Sequence, residues 1–409
     1  MTNLLLSYTA AAESIRAHAD ILRRQKSSIE KVPLLASLGR VLAEPVLADR
    51  DQPPFPRSTR DGFACRAQDL QAKQSLHIVG QLRAGEMWTG EPLASGQAIE
   101  IMTGAPVPEG ADCVVMIEHV QVEGAMLGLE PERTMAAGEN IVSAGAEATA
   151  GSTIVPVGTR MAASHIAAAA ACGYAHISVY RRPRVAILAT GDELVSLDQT
   201  PLAYQIRNSN SYSLAAQVTL AGGEAVMLPV APDQTEKTEA LIRSAMEDSD
   251  LLLLSGGVSM GKYDFVEQAL LHLGAEFFFT GVKMQPGRPV VFGQLPQQYY
   301  FFGLPGNPVS TMVTFLLFAQ PLIAALSGVL HGEPRFLLAR LGHAHRVKAG
   351  LTRFLPARVD YGIHTPQAAI VSWQGSGDLA SVASANGFVV VPSDAVDITA
   401  GELVSVLLP

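Results

Sequence analysis

Two kinds of stretch in this chain carry residue types that do chemistry. Glycine-rich polar turns recur at Thr190-Gly191-Asp192-Glu193, at Ser255-Gly256-Gly257-Val258-Ser259 and at Leu304-Pro305-Gly306-Asn307-Pro308. Glycines let backbone N–H groups converge on an oxyanion with no Cβ in the way, and a helix that follows adds the partial positive charge of its N-terminus. The middle turn is the most telling. Four leucines precede it, and Asp264 with Glu267 three residues later forms an acidic version of a capping box for the helix beyond. Residues 256–262 meet most of the phosphate-loop pattern G-x-x-x-x-G-K-[ST], but Tyr263 stands where the magnesium-binding hydroxyl belongs, which argues against an ATPase or kinase. A tight turn without a ligand is the plain alternative for this stretch alone. The second kind is the proline-stiffened run DQPPFPRSTRDGFACR, which holds Arg57, Ser58, Arg60 and Asp61 in irregular chain, either to face a ligand or as an ordinary surface turn.

The elements around the three turns decide which reading holds. From Arg184 onward, VAILAT, a helix over 209–221, AVMLPV, a helix over 235–248, LLLLS, a helix over 265–273 and AEFFFT alternate as in a doubly wound parallel sheet. Ligands of such sheets bind at the carboxyl ends of the strands, where all three turns fall. Ahead of this unit, 7–24 has helical spacing with Ile15, Ala19 and Leu22 on one side, 75–122 reads as short strands and turns, and 155–172 as a turn plus an alanine-rich helix. Short β-rich runs after Arg335 have the spacing of a small barrel or sandwich. His343 and His345 share a strand face with no third ligand in sight, so a zinc site is not expected there.

Composition bounds the function classes. At 409 residues two to four domains are expected, and 48% hydrophobic with only 16% charged residues describes well-buried globular structure. A net charge of −9 argues against a nucleic-acid surface. Cys65, Cys113 and Cys172 are scattered, which points to a reducing compartment. No signal-peptide pattern opens the sequence. The apolar run 311–330 passes a transmembrane length test, but Gln320 and Pro321 interrupt it, so a buried helix kinked or ended near Pro321 is expected, with no membrane partner.

Taken in order, PPFPRSTRDGFA, TGAPVPEGADCVV, GENI, PRVAILATGDEL, NSN, LSGGVSMGKYDF, PGRPVVFG, FGLPGNPVS, WQGSG and SANGFVVVP span nearly the whole chain. This series resembles the molybdopterin molybdenumtransferase family, which is related to the E domain of gephyrin. The resemblance implies a multidomain α/β and β protein. Its expected parts are an N-terminal and linker domain (1–50 and 145–182), an inserted small β domain (51–144), a central doubly wound α/β domain of molybdopterin-binding type (183–328) and a C-terminal β-barrel (329–409). It further implies a cytoplasmic homodimer in which the α/β unit of one subunit faces the small β domain of the other. The reaction would be insertion of molybdate into the dithiolene of adenylylated molybdopterin, with release of AMP.

Carried residue by residue, the resemblance makes Asp61, Glu147 and Asp264 catalytic and Asp192, Glu193 and Asp264 ligands of Mg²⁺. Substrate would be held by Thr190, Gly191, Asn208, Ser255, Gly256, Gly257, Ser259 and Lys262, by Pro305, Gly306, Asn307 and Ser310, and by Lys283, Pro286, Arg288, Arg353 and Ser376. The chain also departs from the pattern. Val142 and Glu147 stand where the family usually has Arg and Asp, Asn208 where it often has Asp, and Gly281 and Gln285 where it tends to have lysines. Two function classes are therefore expected: the molybdenum-inserting enzyme, or a non-catalytic relative that holds a pterin nucleotide or the finished cofactor as carrier or scaffold.

Overall fold

The computed structural model describes residues 5–25, 28–131, 133–257 and 265–409. A run of four leucines needs apolar cover on both faces of its strand, and Leu251–Ser255 finds it. Leu251 and Leu253 share one buried cluster with Val185, Ile187 and Phe302. Leu252 and Leu254 share another, on the opposite face, with Ala186, Leu188 and Phe301. Each leucine so enclosed contributes about 1.5–3 kcal/mol. The sheet runs Glu224–Met227, Arg184–Ala189, Leu251–Ser255, Tyr299–Leu304, Val291–Leu295, Glu276–Phe279. Its first four strands are parallel to one another, Val291–Leu295 runs against them, and Glu276–Phe279 pairs antiparallel with Val291–Leu295.

The Tyr8–Arg24 helix, expected within the N-terminal and linker unit, instead covers this sheet. Ser7 caps it by accepting from the Ala10 N–H, and its stripe of Ala11, Ile15, Ala19 and Leu22 is buried in the same cluster as Phe318 and Leu322. The stripe is brought there by Leu5–Leu6, which pairs in parallel with Gly281–Val282. The apolar helix Pro308–Leu326 is long enough to span a membrane, but its most apolar window is 83% buried inside the protein, so it is a core helix. Of the two outcomes expected near Pro321, a kink or an end, it does not end there: it continues to Leu326 through a π turn at Phe315–Ala319. The wider turn moves the preceding carbonyls away from the proline ring that would otherwise collide with them.

Residues 29–47 and 153–180 build a linker unit, with Ile29–Pro33 paired to His176–Tyr180, Val46–Leu47 to Thr153–Val155, and the Ala163–Ala171 helix over Leu42, Val46 and Val179. The small β unit is a six-stranded sheet, Cys113–Met116, Gly62–Cys65, Gln97–Ile101, Leu76–Leu82, Met126–Leu129, Val120–Glu123. The C-terminal sheet closes on itself as five strands: Thr352–Asp360, Gln367–Ile370, Phe336–Leu341, Leu403–Leu407 and Gly387–Val391, which returns to the first. Met284–Gln285 leaves the α/β unit to pair with Thr352 and Arg353 of that barrel. Barrel residues Phe354, Val382, Phe388 and Leu407 pack in the same cluster as the helices over the α/β sheet, where the Tyr8 and Phe354 rings stand edge to face at 5.4 Å.

Candidate active site

Three parallel strands end level with one another. Ala189 is in register with Ser255, and Ser255 with Leu304. The turns that follow therefore open side by side along one sheet edge. Two clefts lie there, of about 500 and 570 Å³, sharing Thr190, Glu193, Ile206, Gly256, Gly306 and Asn307 as walls. The first adds Asn208, Ser255 and, from the barrel, Gly377 and Leu379. The second adds Gly191, Asp233, Gly257 and Pro305.

Glycine is required in the middle turn. Gly256 and Gly257 have φ of +90° and +61°, and a Cβ on Gly257 would lie 2.6 Å from Val266 Cγ2 and 2.7 Å from Thr190 Oγ1. The Thr190 hydroxyl thus lies over the turn. It is buried and has no hydrogen-bond partner among the described residues, an arrangement that favours a ligand able to accept or donate there. At the first turn, Gly191 has φ +136° and the Glu193 carboxylate folds back over it, 2.3 Å from where a Cβ would stand. Asp192 is exposed and accepts from the Asp233 N–H at 3.4 Å.

Side-chain amides tie the strand ends together. Asn210 Nδ2 donates to Ser255 Oγ at 2.9 Å and to the Gly306 carbonyl at 2.8 Å. Asn208 accepts from the Ser211 N–H and donates to Ser211 Oγ, so it caps the start of the Asn210–Ala221 helix while lining the cleft. Asn307 precedes Pro308–Thr314 as its N-cap, yet its side chain makes no capping bond. It donates instead to Ser376 Oγ of the barrel at 2.9 Å, and the Ser376 carbonyl accepts from the Val309 N–H at 3.0 Å. These contacts place Ser376 at the cleft rim, next to Gly377.

Other expected substrate residues sit elsewhere. Ser310 is buried and lines neither cleft, and its carbonyl accepts from the Thr314 hydroxyl one turn on. Lys283 is exposed and joins units through its backbone, donating to Leu6 O and accepting from Thr352 N–H. Pro286, Arg288 and Arg353 are likewise absent from the walls of both clefts. Ser259, Lys262 and Asp264 lie outside the described residues. Among the described residues no three His, Cys, Asp or Glu side chains group as a metal site.

Asp61 and Glu147 form a second centre at the edge of the small β unit. Asp61 Oδ1 accepts from both the Thr103 N–H at 2.7 Å and the Thr103 hydroxyl at 2.8 Å. These two donors hold its carboxyl below the usual carboxylate range and leave Oδ2 free. Glu147 Oε1 accepts from Arg57 Nη2 at 2.6 Å. Neither cleft has a wall residue from 51–144 in the same chain. Sequence assigns neither Asn210 nor Thr103 to the site and leaves Arg57 open between a ligand contact and a surface turn. Asn210 lies in the NSN motif and Thr103 in TGAPVP, but their partners are 45, 96 and 42 residues away in the chain.

Comparison with known proteins agrees with this architecture. Three family models match in succession: "MoeA N-terminal region (domain I and II)" over residues 6–173, "Probable molybdopterin binding domain" over 186–325 and "MoeA C-terminal region (domain IV)" over 339–408. A molybdopterin molybdenumtransferase of Nostoc sp. is 37% identical over 403 residues, covering 92% of this chain and 88% of its own. One from Bacillus subtilis is 35% identical over 394 residues, covering 94% and 91%. Among solved structures, a molybdopterin biosynthesis moeA protein of Pyrococcus horikoshii superposes with a TM-score of 0.83 at 28% identity, covering 99% of this chain and all of its own.

Proposed function

The chain belongs to the molybdopterin molybdenumtransferase family, and from that membership we propose that it inserts molybdate into the dithiolene of adenylylated molybdopterin and releases AMP, in molybdenum cofactor biosynthesis. The observation that carries the reading is the joint wall of Thr190, Gly256 and Gly306, with, over a glycine turn, a buried hydroxyl that has no partner among the described residues. Such a wall suits an oxygen-rich pterin nucleotide, whose phosphates accept from backbone N–H groups. Asn210 keeps the strand ends together, and Ser376 closes the rim. Asp61, ionised and aimed by Thr103, is the residue that acts at the metal-oxide end.

Glu193 and Asp192 suit Mg²⁺, a hard ion commonly bound by one or two carboxylates with substrate phosphate supplying the rest. Bound there, the ion would offset charge on the phosphoanhydride as it breaks. We further read the protein as a homodimer. Supporting this, neither cleft takes a wall residue from 51–144 of its own chain, which fits an arrangement in which the Asp61 centre of a second copy faces it. Leu35, Leu38 and Leu220 are also 76%, 56% and 81% exposed, the last two beside Gly39 and Ala221, whose carbonyls both accept from Arg160. Three buried free thiols accord with a cytoplasmic setting.

The test is AMP release from adenylylated molybdopterin, with and without molybdate. Molybdate-dependent release that falls at least about tenfold in Asp61→Asn is expected, since the isosteric amide keeps the Thr103 bonds and loses the charge. Tight nucleotide binding with no molybdate-dependent release would replace the reading with that of a non-catalytic carrier.

A further inference from the structure

Arg57 combines three features. Its Nη2 donates to Glu147 Oε1 at 2.6 Å. Its Nε is buried and has no acceptor among the described residues. Its backbone is held on both sides, by an antiparallel ladder that sets it opposite Val142 and by a bridge to Pro106. The guanidinium therefore starts from a fixed point. A planar fork of five N–H donors, 39% exposed and bonded among the described residues to one carboxylate only, can take a second oxyanion at its exposed end.

The same loop pair carries Asp61. Ser58, next to Arg57, accepts from the Gly104 N–H and donates to Ala105 O, while Asp61 is bound by Thr103. Glu147, in turn, has given one carboxylate oxygen to Arg57, across 90 residues of chain. A carboxylate so paired has one oxygen fewer to offer a substrate or a metal. Its geometric effect is to hold the guanidinium at one end, leaving the other N–H groups for an anion.

We propose that Arg57 is the oxyanion-contacting group of the small β unit, and that Glu147 is a positioning residue that acts through it and not on the substrate. The anion is a small tetrahedral oxide dianion, molybdate in the reading above. The inference rests on that reading for the identity of the anion, but the pairing of roles stands on the contacts of Arg57 alone.

The experiment is a double-mutant cycle on the full-length protein with Arg57→Ala, Arg57→Lys, Glu147→Gln and the Arg57→Ala/Glu147→Gln pair, read as KM for molybdate, KM for the pterin nucleotide and kcat. Arg57→Ala should raise the molybdate KM about tenfold or more and leave the nucleotide KM within about twofold. Arg57→Lys should recover part of the loss, since it restores charge without the fork. Glu147→Gln should move the same constant by less, and the double variant should be no worse than Arg57→Ala. The proposal is overturned if Glu147→Gln lowers kcat with the molybdate KM unmoved, or if the two substitutions compound multiplicatively. Should the wild type release no AMP, it is the functional reading that fails. Calorimetric titration with sodium molybdate then decides on Arg57: binding lost in Arg57→Ala and partly kept in Arg57→Lys supports it, and equal binding by wild type and Arg57→Ala, or none by the wild type, overturns it. If Arg57→Ala does not fold, the comparison of Arg57→Lys with wild type carries the same decision.

Discussion

Replacing Asn210 should damage the cleft from a residue whose importance lies in what it connects. Its Nδ2 is the link between Ser255 Oγ and the Gly306 carbonyl, so Asn210→Ala removes two neutral hydrogen bonds and leaves the Ser255 hydroxyl, in a residue only 2% exposed, without that partner. Losing bonds of this type and stranding one buried group costs about 1–3 kcal/mol. If the strand ends must be held for the nucleotide to bind, the whole of that cost falls on the complex, a rise in nucleotide KM of about 5- to 150-fold. Asn210→Asp separates this account from simple space filling. It has the same size, but it presents a carboxylate oxygen to the Gly306 carbonyl and a negative charge to an anionic ligand. It should therefore bind nucleotide more weakly than Asn210→Ala, measured as KM or by calorimetric titration. An aspartate variant milder than the alanine variant, or an alanine variant with wild-type KM, would refute the reasoning.

Thr190→Val should raise the unfolding free energy of the free protein by about 1–3 kcal/mol at most, because it deletes a buried hydroxyl with no partner among the described residues, while weakening nucleotide binding in a direct titration. Asp61 titrates below its ordinary value in the folded protein, so its carboxylate is present above that pKa and lost as pH falls through it. Thr103→Val removes the hydroxyl donor and should move the acid limb of kcat/KM to higher pH, with the plateau near neutrality least affected. Mixing equal amounts of Asp61→Asn and Asn210→Asp subunits after dissociation should restore activity to about one quarter of wild type, since half of the random dimers are hybrids with one intact composite site each. Activity that stays at the level of the parents would place both centres in one chain.

The α/β unit was legible because its signals are local. The leucine run 251–254 requires cover on two faces, and the structure supplies two clusters that divide the leucines alternately between them. The glycine turns at the strand ends were legible for the same reason. The partner of the Tyr8–Arg24 helix was not, because an amphipathic stripe shows that a face is buried and not against what. An irregularity near Pro321 was legible as a kink or an end, but not its form, a π turn over the buried residues Phe315–Ala319 that lets the helix continue. Glu147 was read singly, and only the folded ladder that sets Arg57 opposite Val142 reveals that the carboxylate is already engaged.

The shared core between barrel and α/β unit has a thermodynamic consequence. Phe354, Phe388 and Leu407 are packed among the α/β helices, and Met284–Gln285 is part of the barrel's own ladder. The barrel is thus no swinging lid. Ser376 stands at its station before any ligand arrives, so the nucleotide meets a wall that is already immobilised and forfeits no rotational or translational entropy of a domain to assemble it. Affinity on this side of the cleft is preorganised. Whatever conformational closure accompanies turnover must be borne by elements other than the barrel.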